Sequence, residues 1–89
     1  GDHRKQKELL ERALAIEERE YGTDHVEVAA TLNNLAVAHG NLGDYQKQKE
    51  LLERALSIDE RAYGPEHVEV AATLSNLGNA FGNLGDYLR

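Results

Sequence analysis

The chain has 89 residues, with 10 Lys and Arg against 16 Asp and Glu for a formal charge of −6, and it contains neither Cys nor Met. That length allows about one small domain, and the missing thiols exclude disulfides, zinc–thiolate sites and cysteine nucleophiles. The negative charge argues against nucleic acid and anionic membranes as partners, and no apolar run approaches the ~20 residues of a spanning helix.

The first apolar stripe holds Leu10, Ala13, Leu14, Ile16 and Tyr21 and predicts a helix over about residues 3–20. Glu11, Glu17, Glu18 and Glu20 read as its solvated face. Glu8 precedes Arg12 by four positions, the favourable order for an ion pair within one helix, and Glu50 and Arg54 repeat it later. Gly22 stands where a left-handed terminating residue belongs, and Thr23-Asp24 offers a cap for the next element. Val28, Leu32, Leu35, Ala36 and His39 then recur at i, i+4, i+7, i+8 and i+11, predicting a second helix over 25–41. Asn41-Leu42-Gly43-Asp44 closes it, with Gly43 as the turn and Asp44 as the cap of a third helix over 45–62. That helix carries Tyr45, Lys49, Leu52, Ala55, Leu56 and Tyr63, and Gly64 ends it. Pro65 suits the first turn of a fourth helix over 67–83, where Val70, Leu74, Leu77, Gly78 and Phe81 repeat the spacing of the second. Asn83-Leu84-Gly85-Asp86 then copies the earlier turn, so that Gly85 to Arg89 opens a further helix. Such short connections make neighbouring helices antiparallel.

Shifted by 42 residues, 1–47 align with 43–89 without a gap, and 34 of the 47 pairs are identical. A fixed period of this size marks stacked units, each burying its apolar face on the next. The expected organisation is a single array over 1–89, with units at 1–42 and 43–84 and the start of a third at 85–89. Gly1 directly before Asp2, with no initiating Met, reads as a piece cut in mid-repeat. No signal peptide is visible, and the cysteine-free composition suits a cytoplasmic setting.

Chemistry finds little support. His3, His25, His39 and His67 form no helical ligand pair of the zinc-binding kind. His25 and His67 occupy matching positions suited to capping, and His39, matched by Phe81, suits a partly buried ring. There is no nucleophile–base pattern and no glycine loop after a strand. No enzymatic activity, cofactor or metal is expected.

In phase along the period lie Leu32-x2-Leu35-Ala36-x2-His39, the turn Gly43-Asp44-Tyr45 and the later pair Ala55-Leu56. Their copies are Leu74-x2-Leu77-Gly78-x2-Phe81, Gly85-Asp86-Tyr87 and Ala13-Leu14. This combination resembles the tetratricopeptide repeat, and within it the 42-residue variant of kinesin light chains and nephrocystin-like proteins, through Thr31–Ala36 and Tyr63–His67. The resemblance implies an all-α, right-handed solenoid of antiparallel helix pairs, with both helices about one turn longer than in the usual repeat of about 34 residues. Two departures stand out: the family's tryptophan is replaced by Leu32 and Leu74, and its small second-helix residue by Gln48 and Gln6. Gln48 implies a wider crossing, a buried polar contact or a shifted helix.

The resemblance also implies a protein-interaction scaffold binding an extended peptide or a partner protein along a concave surface. The groove positions it assigns are Asn33, Asn34, Val37 and Asn41 in the second helix, and Ser75, Asn76, Asn79 and Asn83 in the fourth. Asparagine amides both donate and accept, and so pair with peptide backbone without selecting side chains. The alternative is a self-stacking structural repeat, an end-to-end homo-oligomer growing into fibres. Its expected contacts are Leu9, Leu10, Ala13 and Leu14 at one end and Val70, Leu74, Leu77 and Phe81 at the other.

Overall fold

The computed structural model describes residues 2–87. It contains α1 (His3–Tyr21), α2 (Val26–Asn41), α3 (Tyr45–Tyr63) and α4 (Val68–Tyr87), and no strand among the described residues. The repeat in the letters is a repeat in local chemistry. The Asp2 and Asp44 carboxylates accept the backbone N–H groups of Lys5 and Lys47 at 3.0 and 3.3 Å, capping α1 and α3, each cap being worth about 1 kcal/mol. Gly22 (φ 85°) and Gly64 (φ 87°) end the same helices in the left-handed region, their N–H groups donating to the Glu18 and Glu60 carbonyls.

Histidine, not Thr23-Asp24, opens α2. His25 Nδ1 accepts from the Glu27 N–H at 3.1 Å, and His67 Nδ1 does the same for Glu69 at the start of α4. Each imidazole stacks on the tyrosine that ends the preceding helix, Tyr21 on His25 with centroids 4.6 Å apart and Tyr63 on His67 at 4.4 Å. The ring is thereby fixed with Nδ1 toward the helix. Pro65 lies in the turn before α4 and not in its first helical turn.

The helices pack in chain order, α1 on α2, α2 on α3 and α3 on α4, and α2 also touches α4. The resulting all-α solenoid has its core where α2, α3 and α4 meet. Val28, Leu32, Leu35 and Ala36 of α2 are buried there with Leu51, Leu52, Ala55 and Ile58 of α3 and with Leu77 and Ala80 of α4. No residue of α1 is fully buried; Leu10 and Leu14 pack against the core half-covered. The expected Glu50–Arg54 pair is replaced by contacts between units. Arg54 binds the Glu18 carboxylate and the Thr23 carbonyl across the turn of the previous unit, while Glu50 accepts from Gln46. Arg61 faces Asp24 in the same sense at 3.8 Å. No helix among the described residues is long and apolar enough to cross a membrane.

Gln48 is buried. Its amide sits directly over Gly40, where an added Cβ would come within 2.5 Å of Nε2. The glycine of α2 therefore makes the room that the glutamine of α3 fills. At the expected second turn the chain departs from its own repeat. Residues 85–87 continue α4 and Gly85 is not in the left-handed region; Leu88 and Arg89 of the expected further helix lie outside the described residues. The first turn is held by the cap of α3 and by His39 Nδ1, 3.4 Å from Asp44 Oδ2. At the second, Phe81 replaces that histidine and cannot make the contact.

A polar chain, buried at Asp59 and Thr73 and half-buried at Asn33 and Asn76, ties the two units together. Asp59 Oδ2 accepts from the Thr73 hydroxyl at 3.1 Å, the same hydroxyl accepts from Asn33 Nδ2 at 3.0 Å, and Asn76 Nδ2 donates to Asn33 Oδ1 at 3.4 Å. Burial raises the Asp59 carboxyl above its usual range, helped by Glu69 and opposed by the Thr73 hydroxyl and His67. The folded chain thus holds this proton more tightly than the unfolded chain. The group's stabilising contribution is complete below the ordinary carboxylate value and is lost as pH rises through the raised folded-state value.

Two outcomes are expected in thermal unfolding followed by circular dichroism. Gly82→Ala, with nothing within 4 Å of the new methyl group, gains helix propensity of about 0.5–1 kcal/mol and melts higher. Gly40→Ala must displace the buried Gln48 amide, so it melts lower than Gly82→Ala, and adding Gln48→Ala narrows the gap. Asp59→Asn keeps an acceptor for Thr73 without the buried charge. It melts above the parent at pH 7, and the difference shrinks as pH falls through the carboxylate range; a lower melting point at pH 7 would refute this account of Asp59.

Candidate binding groove

The faces of α2 and α4 that turn toward each other enclose, over α3, a cleft of about 480 Å³. One wall is Val37, Gly40 and Asn41 of α2, and the other is Asn76, Asn79 and Asn83 of α4. Helix spacing explains the second wall, because positions i, i+3 and i+7 share one face. The floor is Tyr45, Gln48 and Leu52 of α3. None of these residues is charged, and four asparagines and a glutamine surround the space. Gln48 Oε1 is buried with no hydrogen-bond partner among the described residues.

Of the expected groove residues, the structure brings together Val37, Asn41, Asn76, Asn79 and Asn83. Asn33 belongs elsewhere: its amide is used in the polar chain with Thr73 and Asn76 and in a bond to the Ala29 carbonyl. Asn34 lines a second, shallower cleft of about 360 Å³ with Gln6, Leu9 and Leu10 of α1 and with Val37. Ser75 is exposed and lines neither. The floor was not among the expected positions, which the resemblance assigned to the second and fourth helices alone. Tyr45, Gln48 and Leu52 share one face of α3 by the same i, i+3, i+7 rule, and that was the available signal.

The expected self-association residues divide as well. Val70 and Leu77 are buried within the chain and are not open to a partner. They share the stripe of α4 that includes Thr73 and Ala80, which packing against α3 already covers. Leu74 and Phe81 lie off that stripe and are exposed, although the Lys49 ammonium sits 5.8 Å from the centre of the Phe81 ring. On α1, Leu9 is exposed and Leu10, Ala13 and Leu14 are half-buried. Among the described residues no cluster of three or more His, Asp or Glu side chains could hold a metal ion.

Comparison with known proteins agrees with this architecture. Two family models, each described as tetratricopeptide repeat, match the chain, one over residues 1–47 and the other over residues 28–69. The second span equals one period of the internal repeat. No curated protein matches the chain. Such repeats generally mediate protein–protein interaction. With matched spans that together reach from residue 1 to residue 69, and with helix pairs stacked in sequence, the chain belongs to the tetratricopeptide repeat family.

Proposed function

We propose that the chain is a protein-interaction module whose cleft between α2 and α4 takes an extended, uncharged stretch of peptide and holds it mainly by its backbone. The observation that supports this reading is the convergence of Asn41, Asn76, Asn79 and Asn83 on one cleft. Each amide offers both donor and acceptor, which matches the alternating N–H and C=O groups of an extended chain. Val37 and Leu52 add a small apolar contact between them. With no Lys or Arg on the lining, nothing favours an acidic chain terminus. A non-enzymatic, cytoplasmic scaffold suits both the family and the composition. A second reading, a self-stacking repeat whose partner is another copy, is favoured by the apolar side chains that α1 and α4 leave open.

The groove reading is tested with a displayed library of random peptides, selected on the parent chain and titrated by fluorescence anisotropy. Selected peptides are expected to bind about tenfold more weakly to Asn79→Ala/Asn83→Ala, the loss of roughly one to two hydrogen bonds. Asn34→Ala, outside the cleft, is expected to leave binding unchanged. Equal binding by the parent and the double variant overturns the groove assignment.

A further inference from the structure

The shallow cleft on α1 is the deep cleft with one wall removed. Gln6, Leu10, Asn34 and Val37 hold the positions of Gln48, Leu52, Asn76 and Asn79 one period later. What the deep cleft has in addition is α2, which contributes Val37, Gly40 and Asn41. The α4 counterparts of those three are Asn79, Gly82 and Asn83.

Burial follows the same pattern. Leu51 and Ile58 of α3 are 7% and 2% exposed, whereas their α1 counterparts Leu9 and Ile16 are 53% and 61% exposed. Leu32 and His39 of α2 are 0% and 6% exposed, whereas Leu74 and Phe81 of α4 are 48% and 52% exposed. Gly40 is filled by Gln48, while nothing lies within 4 Å of the missing Cβ of Gly82. One end of the molecule therefore carries the α2 half of an interface, and the other end carries the α3 half.

We infer that a second copy of this chain docks head to tail, its α1 on the α4 of the first, in the register of the α2–α3 interface. The inference rests on the self-stacking reading and specifies its geometry. In this register Gln6 of the second copy enters the space over Gly82, as Gln48 does over Gly40. The charged contacts recur as well. Arg54–Glu18 and Arg61–Asp24 join the units within one chain. Across the junction their counterparts are Arg12 with Glu60 and Arg19 with Glu66, complementary in sign at both places. The straight course of α4 through residues 85–87 keeps that segment on its own axis. It does not turn into the position where the incoming α1 begins. Joining also supplies the missing wall of the shallow cleft, so each junction creates another amide-lined groove.

The contact is heterologous, which permits a test with ends blocked one at a time. Leu9→Glu blocks the α1 end and Leu74→Glu the α4 end, both at positions exposed in the single chain. Sedimentation velocity over about 5 to 500 μM is expected to show the parent growing without fixed stoichiometry and each variant staying monomeric. An equimolar mixture of the two variants is expected to form a 1:1 dimer and nothing larger. Gly82→Leu, which fills the space Gln6 requires, is expected to weaken parent association at least tenfold, with circular dichroism confirming that each variant stays folded. A parent that is monomeric throughout overturns both the stacking reading and this register. A parent that grows while the mixture stays monomeric, or while Leu9→Glu alone still dimerises, overturns the register and retains stacking.

Discussion

The structure depends on the burial of α2. It is the helix that touches all three others, and eight of its sixteen residues are buried. α1, lying at one edge, has no fully buried residue although most of its letters are those of α3. Identical sequence thus acquires different burial by position, and the difference is made by the neighbour. An amphipathic helix of this kind gains little stability alone, because its helical propensity is offset by the cost of ordering the chain. The solenoid is stable to the degree that each helix finds a face to cover.

The contacts between units show how such a fold keeps its register without a large core. Gln48 over Gly40 is a steric key, and a one-residue slip along the helix would put His39 or Asn41, each with a side chain, where the glycine stands. Arg54 reaches both a carboxylate and a carbonyl of the preceding unit. The Asp59–Thr73–Asn33–Asn76 chain runs through the interior and couples α3, α4 and α2. A surface pair is worth only a few tenths of a kcal/mol, but buried polar groups that satisfy one another specify a single arrangement. Asn33 illustrates the competition: its type fits a groove, and its neighbours recruit it for the interface.

Much of this was legible in the letters. The four helices, their order, the caps at Asp44, the glycine stops and the family itself follow from periodicity and spacing. For the start of α2 the letters offered both Thr23-Asp24 and His25 as caps, and the structure uses His25. His25 caps with its ring stacked on Tyr21, a contact set by where the preceding helix ends. Five of the eight positions that the resemblance assigned to a groove line the cleft, on the faces of α2 and α4 that turn toward each other. The α3 residues that line it were not among them, since the resemblance assigned groove positions to α2 and α4 alone. The partnership of Gln48 with Gly40 was also missed, although both residues recur in phase as Gln6 and Gly82. Their unchanged recurrence in phase within one chain's own repeats was the signal available.

The pentapeptide Asn-Leu-Gly-Asp-Tyr occurs twice with two conformations. As residues 41–45 it bends at Gly43, φ 82°, and as residues 83–87 it is helical. The local code for this bend is therefore permissive, not decisive. At 41–45 the bent form is held by the cap of α3 and by His39 beside Asp44, and at 83–87, where Phe81 takes the place of that histidine, the backbone continues its hydrogen-bonded ladder. The same five letters thus serve as a chain reversal in one unit and as a helix end in the next, and the side chain four places before the glycine, His39 or Phe81, is what differs between them.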